Sequence, residues 1–382
     1  MRSIAVGALN KFNPFIRFLL CLCLSVPVSA QINLEKKDSI THKGKKRRLF
    51  AFPAVIYSPE TTLAFGGAGN YYFKLGHDST TRTSYVQALA LYTLRQQTVF
   101  AMESAIFFHN EKYLLKTKGS ASYFPDRFWG LGNNSGDNYE RYTVGQFYLS
   151  PQLLRRTYKK LFLGAAFEIQ NVFTFDYGKG LPQGTQSIFD QQNVTGRKGS
   201  FVSGVGLVAI WDGRDNSFSP GKGFYFSYAV NDFSTVFGST YNYTSQSLDI
   251  RKYFTLDKCQ VLAFQTVLNL SNGTVPVRSM TNIGSNTIMR GYYEGRYTDR
   301  NLFAVQVEDR IHLINRIGMV VFAATGRVGT ETGDVFNFSG FKPAIGTGIR
   351  YAIDKKEKLN FRFDIGFGQR SNGFYFYITE AF

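Results

Sequence analysis

The chain has 382 residues, a net charge of +17, 16% aromatic residues and 37 glycines. Its three cysteines and four histidines are too few for a disulfide framework or a Cys/His metal centre, so we expect no metal and no cofactor. Heavy use of Tyr, Phe and Gly, with almost no helical periodicity, indicates an all-β protein.

The first thirty residues have the features of a secretory signal peptide. Basic residues precede a short apolar run, Phe18–Val28, and Val28-Ser29-Ala30 resembles a cleavage site. The run is too short to span a bilayer, although a short membrane anchor is the alternative. We predict that residues 1–30 are removed on export, which leaves Cys259 as the one remaining cysteine.

Residues 31–48 form a basic tail in which lysine and arginine outnumber the two acids, Glu35 and Asp38. We expect this periplasmic tail to be disordered and solvated, with contact to a partner as the alternative. Because the chain is exported, its positive charge favours outer-membrane lipids or lipopolysaccharide as partners and argues against nucleic acid.

Residues 49–382 show side-chain alternation with a period of two. In Lys358–Phe367, one face carries Leu359, Phe361, Phe363, Ile365 and Phe367, and the other carries Asn360, Arg362, Asp364 and Gly366. A soluble sandwich also alternates, but many of these segments are longer than its strands usually are. Aromatic apolar faces opposite polar faces are typical of a transmembrane antiparallel β-barrel.

We predict about sixteen strands, an even number as in bacterial barrels. They lie near 50–58, 60–75, 82–95, 97–109, 112–124, 141–153, 160–173, 199–213, 222–232, 243–255, 259–272, 300–314, 317–328, 341–353, 357–368 and 372–382. If both termini are periplasmic, the long links 125–140, 174–198 and 273–299 all lie outside the cell.

One long link contains an ordered motif. Met289, Arg290, Gly291 and Tyr292 resemble the [V/I/L]-R-G-[F/Y] motif of the BamA/TamA-type outer-membrane barrels, the bacterial surface antigen family. This resemblance implies that a long extracellular loop folds into the lumen and that Arg290 contacts the strands that follow. A second match, to the family's D-x-R-D and P-x-x-G periplasmic turn, comprises Asp212, Arg214, Asp215, Pro220 and Gly223.

The resemblance also names candidate partners of the loop. Glu308 and Arg310 stand where the family has a lumen-facing acid and a basic neighbour, and Phe322 and Gly326 match its F-x-D-x-G strand. Ala324 replaces the aspartate of that strand, so Glu308 is the alternative anion for Arg290, unless the loop is held less firmly. A guanidinium with five donors suits either arrangement.

The last residues resemble the signal by which outer-membrane barrels are delivered for insertion. Phe374, Phe376, Ile378 and the final Phe382 share a parity on a closing strand that ends the chain in an aromatic residue. An ordinary last strand is the alternative.

The resemblance implies assistance in the insertion or translocation of proteins, or lipids, at the outer membrane. Its clients would be unfolded outer-membrane proteins, with a periplasmic partner as a further possibility. Family members that insert proteins usually carry POTRA domains before the barrel, and residues 31–48 are too few to form one. The alternative is a passive or plugged pore. We expect no enzyme and no catalytic residues, because none of the four histidines belongs to a recognisable catalytic set.

Overall fold

The computed structural model describes residues 48–58, 60–75, 81–355 and 358–382. The predicted signal peptide, residues 1–30, and nearly all of the basic tail lie outside this part. Within the described residues, no helix is long and apolar enough to cross a bilayer.

Sixteen strands form one antiparallel sheet in which neighbours in sequence are neighbours in space. They are β1 (Arg48–Ser58), β2 (Thr62–Phe73), β3 (Ser84–Thr93), β4 (Thr98–Phe107), β5 (Tyr113–Phe128), β6 (Glu140–Tyr158), β7 (Leu161–Asp176), β8 (Ser200–Asp212), β9 (Gly223–Phe233), β10 (Tyr243–Thr255), β11 (Gln260–Gly273), β14 (Asn301–Ile314), β15 (Ile317–Gly329), β16 (Lys342–Asp354), β17 (Leu359–Gly368) and β18 (Ser371–Ile378). The strands β1 and β18 end the order, and their backbones lie next to each other.

The remaining elements belong to the links. A small antiparallel hairpin, β12 (Thr281–Ile283) with β13 (Tyr297–Asp299), lies between β11 and β14. One helix, α1 (Ile188–Gln191), and four 3-10 turns complete the described chain; the turns are His109–Glu111, Thr235–Phe237, Val277–Ser279 and Asp334–Phe336.

The prediction of an all-β, sixteen-stranded antiparallel barrel is confirmed, but several strands differ in length from their predicted bounds. Strands β5, β6 and β7 have 16, 19 and 16 residues, longer than predicted. Their extra length is covered by a buried aromatic cluster that includes Phe128, Tyr142 and Phe189 of α1. By contrast, β18 has only 8 residues and stops at Ile378.

Alternation sorts the side chains into two environments. In β14, Gln306, Glu308 and Arg310 are buried and face the lumen, whereas Val305 and Val307 between them face outward. We call the end of the barrel at which β1 begins and β18 finishes the terminal end. The opposite end, which carries the links after β5, β7 and β11, is the loop end.

Candidate functional site

The candidate site is built around the β11–β14 loop, which folds back into the barrel. The β12–β13 hairpin closes the base of this loop, and its tip carries the Met289–Tyr292 motif. Apolar residues of the loop pack on the inner faces of β14–β16 in one buried cluster: Ile283, Met289, Tyr292, Tyr297, Leu302, Ala304, Ala324, Val328 and Ala344. Burial of this surface holds the loop against the wall.

Arg290 lies at the centre of the site with a side chain that has no exposed surface. Its guanidinium donates to Glu308 of β14, and its Nη1 lies 2.5 Å from Asp364 of β17. The ring of Phe322 lies below the guanidinium, 3.7 Å from its Cζ to the ring centroid. One loop side chain therefore joins two strands that are three positions apart in the sheet.

Each of these carboxylates also has a second arginine. The Nε of Arg310 donates to Glu308 at 2.8 Å, and Nη1 of Arg350 donates to Asp364 at 2.6 Å. Arg362 lies further away, with its Nε 3.8 Å from Asp364. Because a charge alone in a buried site is costly, the resident arginines keep both carboxylates compensated whether or not the loop is docked.

Close backbone contact explains the glycine after Arg290. Gly291 has φ +113°, and a Cβ at this position would lie 2.7 Å from the backbone of Phe367. Gly366 is its counterpart on β17, where a Cβ would lie 2.7 Å from the carbonyl carbon of Arg290. Here the loop backbone rests directly on the strand backbone.

Two tyrosines fix the backbone of the motif. The hydroxyl of Tyr375 accepts from the N–H of Gly291 at 3.0 Å and donates to the carbonyl of Tyr292 at 3.2 Å. The hydroxyl of Tyr292 donates to the carbonyl of Pro343 at 2.7 Å. The motif is thereby attached to β16 and β18 as well as to β14 and β17.

Of the residues predicted to meet the loop, the structure places Glu308, Arg310 and Phe322 in the Arg290 site. Gly326 lies beside Ala304, in the wall of the apolar cluster. Ala324 belongs to that cluster and is 9% exposed, so an acid there would face Met289 and other apolar neighbours. The second anion is instead Asp364, which the sequence interpretation missed although its polar parity in β17 was visible.

The predicted periplasmic turn lies between β8 and β9, at the terminal end. Asp212 accepts from Nε of Arg214 at 2.9 Å and from Nη1 of Arg82 at 2.8 Å. Asp215 accepts from the N–H groups of Gly221 and Lys222 and from Lys358 across the barrel. These bonds fold the turn under the lumen.

The other members of the turn motif shape its return to the sheet. Pro220 is buried, and Gly223 has φ +116° with a virtual Cβ 2.4 Å from the carbonyl oxygen of Gly213. The ring of Phe218 meets the rings of Tyr72 and Tyr85 with centroids 5.7 Å apart in both pairs. The turn therefore reaches the opposite wall.

The predicted strand 372–382 is wrong at its end, because β18 stops at Ile378. Phe374, Phe376 and Ile378 share the outward parity of β18, but Thr379 has φ +75° and turns the chain inward. Phe382 is 4% exposed and packs with Tyr253 and Ala263 on β10 and β11.

Polar contacts hold this terminal segment in place. Arg310 donates to the carbonyl of Phe382 at 2.8 Å, and Glu380 accepts from Arg350 and Asn360. Burial disfavours ionisation of Glu380, yet Arg350 and Arg310 outweigh it and hold the pKa of Glu380 below its usual range. The same arginines thus serve the Arg290 site and the last residues.

The part of the barrel that the structure describes encloses open space in at least two places. One, of about 880 Å³, lies against the first six strands and reaches residues of both β1 and β18, including Pro53, Ala54 and Tyr377. A smaller one, of about 370 Å³, lies at the loop end and is lined by Glu60, Asp126 and Glu294. Burial, Glu60 and then Asp126 raise the pKa of Glu294 to about 7.

The fold of this chain is similar to the folds of known outer-membrane proteins. Two solved structures align with the chain at TM-scores of 0.54: BamA from Haemophilus ducreyi lacking POTRA domains 1–3, at 11% identity over 88% of this chain and 70% of that one, and CdiB from Escherichia coli, at 11% identity over 87% and 62%. CdiB from Acinetobacter baumannii aligns at a TM-score of 0.52 and 10% identity over 87% and 65%. The chain thus spans less than two thirds of either CdiB, and these identities establish the fold alone.

No curated protein sequence matches the chain. Residues 61–382 match the Omp85 superfamily domain. This range contains the docked loop and every barrel strand except β1. The chain therefore belongs to the Omp85 superfamily.

Proposed function

We propose that this protein is an integral outer-membrane barrel that assists the insertion or translocation of proteins at that membrane. The observation that carries the proposal is the cavity of about 880 Å³, which is lined by Pro53 and Ala54 of β1 and by Phe376, Tyr377 and Ile378 of β18. It offers room for an extended segment beside the two strands that end the sheet order.

The terminal strands suit this role. The last strand has 8 residues and the longest strand, β6, has 19, so the wall is lowest at the last strand. Pro53 in β1 lacks a backbone N–H and so cannot donate to a ladder at that position. Exposed strand edges are templates for added strands, which is a recognised mode of binding extended chains.

The test is client folding in liposomes. Purified barrel in proteoliposomes receives an unfolded outer-membrane protein, and folding is followed by heat-modifiable gel migration. We expect acceleration over empty liposomes, and we expect Arg290→Ala to lose it. Arg296→Ala is the matched control, because Arg296 lies in the same loop but pairs with Asp137, which is 60% exposed. Equal folding rates with and without the barrel would refute the proposal.

A second candidate function is a plugged barrel without insertase activity. It is favoured by the obstruction of the lumen from both ends, by the docked loop and by the β8–β9 turn. Client folding without acceleration, together with solute flux through variants that lack the plugs, would favour this candidate.

A further inference from the structure

Charge is distributed differently at the two ends of the barrel. At the loop end, three basic residues are paired, Arg370 with Asp137, Lys179 with Asp176, and Arg300 with Glu331, whereas the exposed Arg141 and Lys198 have no ion pair among the described residues. At the terminal end, the exposed basic side chains include Lys112, Arg155, Lys159, Lys258, Arg316 and Lys355. None of these six takes part in an ion pair among the described residues. The terminal end therefore carries six exposed cations without an ion pair, beside the paired Lys358 and Arg156, and we call this end the cationic rim.

Three of these residues converge at one corner of the rim. Arg155 of β6 stands opposite Tyr113 of β5 on one side and Leu163 of β7 on the other. It shares the outward parity of Leu153, which is 55% exposed, whereas Leu154 between them is fully buried. Arg155 thus lies at the lower margin of the outward apolar face.

Lys112 and Lys159 complete this corner. The Nζ of Lys112 lies 5.8 Å from the ring centroid of Tyr113, and the Nζ of Lys159 lies 5.0 Å from that of Tyr158. Trp211 of β8 pairs with Leu161 at the same level. Aromatic and basic side chains at the edge of an apolar band are typical of the headgroup region of a membrane.

We propose that this corner, Lys112, Arg155 and Lys159, binds the phosphate-bearing headgroup of an anionic phospholipid. The planar fork of Arg155 suits two phosphate oxygens, and the two ammonium groups add charge around it. The acyl chains cover Leu153 and Leu163, which are 55% and 43% exposed. In the orientation expected for the family, the corner faces the periplasmic leaflet.

The leucines select a lipid over other anions. A soluble acidic protein or free phosphate would satisfy the three cations but would leave the two leucines uncovered. A lipid satisfies both, because its charged and apolar parts are joined in the same order as the cations and the leucines. The site does not depend on the proposed insertion activity, so either can fail without the other.

The experiment is native mass spectrometry of the full barrel in detergent, titrated with dioleoylphosphatidylglycerol or dioleoylphosphatidylcholine. The test variant carries Lys112→Gln, Arg155→Gln and Lys159→Gln. The control variant carries Lys179→Gln, Lys198→Gln and Arg370→Gln, which removes the same charge from exposed residues at the loop end. Heat-modifiable gel migration verifies that both variants are folded.

We expect wild type to prefer phosphatidylglycerol about tenfold, since each basic residue near an anionic surface contributes about fivefold and the three overlap. The test variant should lose most of this preference and the control should keep it. A preference equal in all three proteins would overturn the proposal. So would displacement of the lipid by millimolar inorganic phosphate or by polyglutamate, which would assign the corner to a free anion or an acidic protein.

Discussion

Arg290 holds the loop in the lumen through two carboxylates that have other cations as well. When Arg290 is removed, Glu308 retains Arg310 and Asp364 retains Arg350. We therefore expect Arg290→Ala to release the loop while the barrel stays folded. Loss of one partner from a buried ion pair costs up to about 3–5 kcal/mol of stability. In Arg290→Ala we expect a loss near the lower limit of this range, because Arg310 and Arg350 still compensate the two carboxylates. Hydrogen exchange across residues 284–296 should accelerate in this variant.

The complementary substitutions should be more damaging. Asp364→Asn leaves Arg350, Arg362 and Arg290 close together with one anion fewer, so the barrel itself should lose stability. The readout is the temperature at which the folded gel band disappears, which should fall further for Asp364→Asn than for Arg290→Ala. The opposite order would show that the arginines are not coupled through Asp364.

Alanine substitution at two glycines distinguishes the effect of steric contact with β17 from the effect of an unfavourable backbone conformation. Gly291 and Gly295 both have positive φ, but a Cβ on Gly291 meets the Phe367 backbone at 2.7 Å, whereas on Gly295 the nearest atom is 3.8 Å away. Both alanine variants incur backbone strain of about 1–2 kcal/mol. Only Gly291→Ala should also lift the loop from β17, seen as faster amide exchange at Gly366 and Phe367. Equal exchange in both variants would contradict the direct contact.

The residues of this site could be predicted from sequence to different degrees. Alternation places Glu308 and Asp364 on lumen faces, and the loop motif singles out Arg290. Sequence spacing does not say which of several inward acids one arginine reaches, because that depends on the path of the β11–β14 loop across the inner faces of β14–β17. Ala324 shows the limit: its strand resembles the family pattern, but its neighbours here are apolar.

The docked β11–β14 loop carries a titratable group, Glu294, that faces other acids. The pKa of Glu294, raised to about 7, exceeds the ordinary value of about 4.5, so the docked loop binds a proton more readily than the released loop. Docking should therefore be strongest below pH 4.5 and weaken as the pH rises through 7. Amide exchange of residues 284–296 at pH 5.5 and 8 measures this. Glu294→Gln should show little of this pH dependence and be more protected at pH 8; an unchanged dependence would exclude Glu294 as its source.

The last strand shows why element boundaries escaped the sequence pattern. The alternation of Phe374, Phe376 and Ile378 continues formally to Phe382, so period two alone predicts one strand. The strand stops because Thr379 takes a left-handed conformation, while Glu380 and Phe382 find partners inside the barrel. Most of those partners lie on β10, β11, β14 and β16, which are separated from the last residues by 30 positions or more.

For the whole molecule, the two obstructions lie in series along the lumen. The docked loop occupies the middle and the loop end, and the β8–β9 turn with the last residues crosses the terminal end. They share residues, since Arg310 contacts both Glu308 and Phe382. Sequence alternation predicted the wall correctly, but the filling of the lumen depends on links, whose paths have no periodic signal.

A series arrangement makes a specific prediction for ion flow. Arg290→Ala frees the loop but leaves the turn in place, and Phe218→Ala weakens the turn's contact with Tyr72 and Tyr85 but leaves the loop docked. Each single variant should conduct nearly as little as wild type in planar bilayers, because either obstruction alone limits the current. The double variant should conduct several times more than either. Arg296→Ala with Phe218→Ala is the control and should stay at the single-variant level. If Phe218→Ala alone opened the barrel fully, the loop would not close the lumen, and Arg290 would serve only to brace the wall.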